Sequence, residues 1–188
     1  RWIFERVVVS NTQQVIPGET YRIKNKYSGL YLTGHGATKD ITVQEADTQG
    51  FDLWTVKSVG DGYFLLINED GNQLNIPYDL TADGSRIDTA VENGHKSKHF
   101  ALKRYADGSY GILTKTSNQA SGLTLASATT NAGTKVQLYK NTNDGRSQWI
   151  FENVTSSDTQ LYQIKNVNRG KYLVNQYKYM SILQVLKH

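Results

Sequence analysis

The chain has 188 residues with a formal net charge of +4, 38% hydrophobic and 11% aromatic residues, and no cysteine. That length can bury a sizeable core. The lack of cysteine excludes disulfides, thiolate chemistry and cysteine-based metal sites, and no apolar run approaches the roughly 20 residues of a helical membrane span. The 21 basic residues are dispersed without a run of five, which argues against a nucleic-acid surface despite the basic balance.

Sixteen glycines and 12 tyrosines against one methionine point to many turns and short strands, an all-β composition. The first stretch, Arg1-Trp2-Ile3-Phe4-Glu5, mirrors Gln148-Trp149-Ile150-Phe151-Glu152. Glu5 to Thr20 then reads as a linker with a turn at Pro17-Gly18. From Tyr21 onward one unit is written repeatedly, and repeats of this kind define an architecture. An opening strand at Tyr21–Asn25 returns at Phe64–Asn68, Tyr110–Thr114 and Tyr162–Asn166, each with the alternation of a half-buried strand. A turn and second strand follow at 28–32, 71–76, 121–125 and 169–173, with Gly29, Gly71, Gly122 and Gly170 where tight turns favour positive φ. Third strands fall at 41–46, 86–90, 135–139 and 181–186. Closing aromatic strands fall at 51–56, 99–104 and 148–154, where Trp54, Phe100 and Trp149 are expected to fill the core.

Units of four strands and roughly 40 to 50 residues fit either propeller blades or a threefold closed barrel. A propeller usually needs at least four complete blades, whereas Tyr21 to Val154 supplies three complete units. The ends hold a closing strand and the beginning of a fourth unit. They either pair with each other, belong to a longer repeat array, or pack as extensions. The organisation expected is residues 1–19 as the closing strand of a preceding repeat and a linker, 20–154 as the main domain, and 155–188 as a partial fourth repeat or the start of a following domain.

The ordered motifs YxIxN, SGxYL, VQLY and QW resemble those of the ricin B-chain-like lectins and the related family 13 carbohydrate-binding modules. The resemblance covers about 20–154 well and 161–188 in part. It implies an all-β fold, a β-trefoil with three pseudo-repeats and terminal partial-repeat segments. It also implies glycan binding without catalysis, in a module appended to a glycosidase, toxin or other secreted bacterial effector.

In that family a site joins an Asp after the second strand, Gln and an aromatic on the third, and Asn and Gln beside the closing Trp. The aromatic face stacks on a sugar ring while carboxylate and amide groups bind its hydroxyls. Here the Asp position holds Thr33, Asn75, Ala126 and Val174, the Gln position Gln44, Asp88 and Gln137, and the stacking position Ala46, Ala90 and Tyr139. Only the third unit keeps Gln and an aromatic together, so the expected carbohydrate-binding residues are Gln137, Tyr139, Asn141, Asn143 and Asp144. Tyr27, Tyr31, His35 and Asp40 in the first unit, and Asn75, Tyr78 and Asp79 in the second, are lesser candidates.

No nucleophile elbow, phosphate loop or HExxH is present, and His35, His95, His99 and His188 lack metal-ligand spacing. The expectation is therefore a noncatalytic module without cofactor or metal. Its expected partners are glycans on polysaccharide or glycoprotein and other domains of the same polypeptide, with no nucleic acid and no membrane insertion. An alternative is a structural or protein-binding trefoil that has lost its sugar sites.

Overall fold

The computed structural model describes residues 1–6, 14–46, 49–154, 162–169 and 171. It divides into two compact units, Asn11–Ser157 and Arg1–Ser10 with Asp158–His188. The strands in chain order are β1 Trp2–Arg6, β2 Thr20–Asn25, β3 Tyr31–Thr33, β4 Thr42–Gln44, β5 Leu53–Gly60, β6 Tyr63–Asn68 and β7 Gln73–Asn75. They continue as β8 Asp88–Ala90, β9 Phe100–Arg104, β10 Tyr110–Thr114, β11 Ser121–Leu125, β12 Thr134–Lys140, β13 Trp149–Asn153 and β14 Tyr162–Asn166. Helical structure among the described residues is confined to three-residue 3-10 turns.

In the larger unit, β2 pairs with β5, β5 with β6, β6 with β9, β9 with β10, β10 with β13, and β13 returns to β2. Opening and closing strands thus alternate around a closed six-stranded barrel, which leaves no barrel edge unpaired. The remaining strands form three hairpins, β3–β4, β7–β8 and β11–β12. This is a β-trefoil. Its centre is filled by equivalent residues of the three units: Ile23, Leu66 and Ile112 from the opening strands, Trp54, Phe100 and Trp149 from the closing strands, all fully buried. The two indoles need acceptors in an apolar interior. Trp54 Nε1 donates to the Leu32 carbonyl at 2.8 Å and Trp149 Nε1 to the Leu123 carbonyl at 3.1 Å.

Two local expectations change. The stretch before β2 is more than a linker: Val15 is buried in the core cluster, and its N–H donates to the Tyr110 hydroxyl at 3.1 Å. Gly29 and Gly71 do adopt positive φ, but Gly122 lies inside β11 without it. Its requirement is space, because a Cβ there would stand 2.5 Å from the Ile112 carbonyl oxygen.

In the smaller unit, β1 and β14 pair antiparallel with Trp2 opposite Asn166 and Ile3 opposite Lys165. The register matches that of β13 and β2, where Trp149 stands opposite Asn25 and Ile150 opposite Lys24. Asn166 also accepts from the backbone of Asn168 and Arg169, as Asn25 does from Tyr27 and Ser28. The expected turn glycine Gly170, the Val174 position and the strand at 181–186 lie outside the described residues.

Candidate functional site

The three units share one backbone plan but fill the equivalent surface differently. In the first unit, β3 ends at Thr33 and passes close over the closing tryptophan. A Cβ on Gly34 would lie 3.3 Å from Trp54 Cη2. Gly34 N–H donates to the Phe51 carbonyl at 3.0 Å, which brings the segment before β5 alongside. The result is a groove of about 250 Å³ lined by Thr33, His35, Gln44, Glu45, Phe51 and, from the loop between β11 and β12, Ala132. Ala46 also lines it. His35 Nε2 lies 2.7 Å from Thr42 Oγ1, to which Gln44 Nε2 also donates at 3.0 Å. The groove therefore joins a carboxylate, an amide, an imidazole and an aromatic ring. Such a set can accept from and donate to several hydroxyls while an apolar ring face packs on carbon.

The second unit has closed the same region. Asn75 Nδ2 donates to Asp88 Oδ1 and Ser97 Oγ donates to Asn75 Oδ1, both at 2.8 Å, with all three residues buried. Burial raises the Asp88 pKa above its ordinary value, with the Asn75 hydrogen bond and the Arg86 charge opposing. Tyr78 and Asp79 stand outside this network. Tyr78 is 93% exposed, and Asp79 faces His95 and Lys96 at 3.5 and 3.6 Å.

In the third unit, Gln137 and Tyr139 alternate with the buried Val136 and Leu138 on β12, so both are half-buried on its outer face. They oppose Thr124 and Gly122 of β11. Asn141, Asn143 and Asp144 are brought together beyond the strand, but largely to build the turn. Asn141 Oδ1 accepts from the Tyr105 hydroxyl at 3.3 Å and from Asn143 N–H at 3.1 Å. The Asn143 carbonyl and Oδ1 accept from Gln148 Nε2 at 3.2 and 3.0 Å. Asp144 Oδ1 caps the Gly145–Ser147 3-10 turn through Arg146 and Ser147 N–H, and Oδ2 accepts from Thr142 and Arg146. Burial alone would raise the Asp144 pKa, but the Arg146 and Thr142 hydrogen bonds reverse this and hold it below the usual value.

Among the lesser first-unit candidates, only His35 lines the groove. Tyr31 donates its hydroxyl to Glu152 at 3.0 Å, and Asp40 pairs with Lys135 and Arg86. Sequence reasoning missed Phe51, Glu45 and Ala132. Phe51 stands three residues before Trp54, where the third unit has Arg146 before Trp149, and that comparison was the available signal. Ala132 comes from another repeat and carried none. Among the described residues, no group of three or more His, Cys, Asp or Glu side chains could hold a metal ion.

Residues 51–139 match the family model described as ricin-type β-trefoil lectin domain-like. No curated protein matches the chain. Among solved structures, the designed threefold-symmetric protein ThreeFoil superposes with a TM-score of 0.67 at 20% identity, covering 71% of this chain and 97% of that one. The Macrolepiota procera ricin B-like lectin, solved in complex with lactose, gives 0.65 at 23% identity, covering 74% and 99%. An exo-β-1,3-galactanase from Clostridium thermocellum gives 0.67 at 20%, covering 76% of this chain but 32% of that one. At these identities the neighbours establish the fold, a β-trefoil, and residues 51–139 are similar to the ricin-type β-trefoil lectin-like family.

Proposed function

We propose that this domain is a noncatalytic carbohydrate-binding module that holds glycan primarily in the first-unit groove. The observation that carries the reading is the groove itself, where Gln44, Glu45, His35 and Phe51 line one concavity on a lectin-type trefoil. Gln137 and Tyr139 offer a second, shallower surface of the same chemistry on the third unit. A shallow, solvent-open site of this kind binds weakly, roughly 0.1–1 mM, and gains from tethering or multivalency. Placement within a larger secreted protein is part of the proposal. It is supported by the galactanase and by a mosquitocidal holotoxin, where the aligned region is 32% and 17% of the respective chain.

The test is a glycan array on the full chain, repeated with Gln44→Ala and with Tyr139→Ala. Selective binding lost with Gln44→Ala assigns the first unit, and loss with Tyr139→Ala moves the site to the third. Silence on every glycan at millimolar concentration would reject carbohydrate binding in favour of a protein-binding scaffold.

A further inference from the structure

The loop between β11 and β12 has an exposed residue of interest on each flank. Ala132, on its returning leg, lines the first-unit groove. Ala128, on its outgoing leg, meets Tyr27, whose hydroxyl donates to the Ala128 carbonyl at 3.5 Å. Tyr27 belongs to the first unit but is carried to the third by its turn. Its N–H donates to the Gly145 carbonyl at 3.1 Å and to Asn25 Oδ1 at 3.1 Å. A Cβ on Gly145 would lie 3.4 Å from the Tyr27 Cβ, ordinary van der Waals contact, so the tyrosine packs directly against this turn. The residue is nevertheless 46% exposed.

Between the groove and this ring the loop carries only small or short side chains. It reads Ala126-Ser-Ala-Thr-Thr-Asn-Ala132, exposed apart from the half-buried Thr129 and without a bulky side chain. Four residue steps separate Ala128 from Ala132, at most about 14 Å of backbone. A fixed, half-exposed tyrosine thus stands a short distance from a polar groove, across a ridge of small hydroxyl-bearing and methyl side chains. Aromatic faces and scattered hydroxyls suit successive rings of a sugar chain, each adding area and hydrogen bonds to a weak first contact.

We infer that the ligand of this domain is an extended oligosaccharide chain, seated in the first-unit groove and laid over the 126–132 loop onto Tyr27. This rests on the carbohydrate-binding reading above and adds its substrate class: a chain bound along several residues, in contrast to a single terminal sugar.

The experiment is calorimetric titration of the full chain with linear β-linked galacto- and gluco-oligosaccharides of one to six residues. Affinity is expected to climb at least tenfold from the shortest binding sugar to the longest in whichever series binds. Tyr27→Ala should erase that climb and leave short-sugar binding intact. Tyr27→Phe, which keeps the ring and loses only the Ala128 hydrogen bond, should retain it. Gln44→Ala should weaken every length. Affinity independent of length, or a climb unchanged in Tyr27→Ala, overturns the inference while leaving the groove as a sugar site. Failure of every length in both series counts against carbohydrate binding itself and takes the inference with it.

Discussion

Asp40 and Lys135, 95 residues apart in the chain, meet through a 2.7 Å charge-assisted hydrogen bond from the Lys135 ammonium to Asp40 Oδ2. Arg86 Nε reaches the other oxygen of Asp40 at 3.1 Å. The three residues immediately precede Ile41, Ile87 and Val136, which are buried, and Ile41 donates its N–H to the Ile87 carbonyl while Val136 donates to that of Ile41. One acid and two bases therefore occupy equivalent positions where the three hairpins converge. A symmetric choice of one charge at all three would repel.

The Lys135 hydrogen bond is the main cause holding the Asp40 pKa below its ordinary value. A depressed carboxylate stabilises the fold above its unfolded-state pKa, and that contribution is lost as pH falls through the folded value. Asp40→Asn should lower the melting temperature at pH 7 but have little effect near pH 2. Since all three side chains are at least a third exposed, each pair contributes at most about 1 kcal/mol, and added salt should shrink the difference. Thermal melts across pH and salt check this.

His99 gives the opposite end of the pH profile. Burial, aided by the Lys115 charge, lowers its pKa. Below the unfolded value near 6.5 the unfolded chain takes up a proton that the folded chain resists, so stability falls on acidification from about pH 7. His99→Gln should flatten the melting curve against pH between 7 and 5. A slope identical to that of the parent chain would remove His99 as its source.

Asn75→Ala strips a buried donor from Asp88 and a buried acceptor from Ser97. Leaving such groups unpaired costs about 1–3 kcal/mol each. The Asn75 hydrogen bond lowers the Asp88 pKa against burial, so its loss should push that pKa further up. Urea denaturation measures the first effect and carboxyl chemical shifts against pH the second.

Gly122→Ala and Trp149→Ala probe the core from opposite directions. The added Cβ would meet the Ile112 carbonyl oxygen at 2.5 Å and Leu113 Cδ2 at 2.8 Å, and backbone cannot yield cheaply, so about 1–3 kcal/mol should be lost. Trp149 is fully buried, and truncating it should cost about 3–5 kcal/mol. Denaturant midpoints of the two variants give both values.

Much of the fold was legible because opening and closing strands repeat the same alternation. Ile23, Leu66 and Ile112, with Trp54, Phe100 and Trp149, fall at matching places in the sequence and in the barrel. Gly122 was misread since a glycine required for space looks the same in sequence as one required for positive φ. The site was less legible. Asn141, Asn143 and Asp144 are polar residues in a loop, which describes ligand contacts and turn-building contacts equally well. Their hydrogen bonds to Tyr105, Gln148, Thr142 and Arg146 show how much of their capacity the turn already uses.

The sequence by itself determined the repeated unit, its strand order and the closing aromatics Trp54, Phe100 and Trp149 that fill the barrel. Those properties follow from period and polarity within each short segment. Only the tertiary structure decided where a concave surface forms, because that depends on residues far apart in the chain. Phe51 comes beside Gln44 through the Gly34 backbone contact, Ala132 arrives from the third repeat, and Tyr27 is delivered to Ala128 by a turn seated on Gly145. Closing the barrel places the three units side by side, so the surface each unit presents depends on what its neighbours bring to the seam.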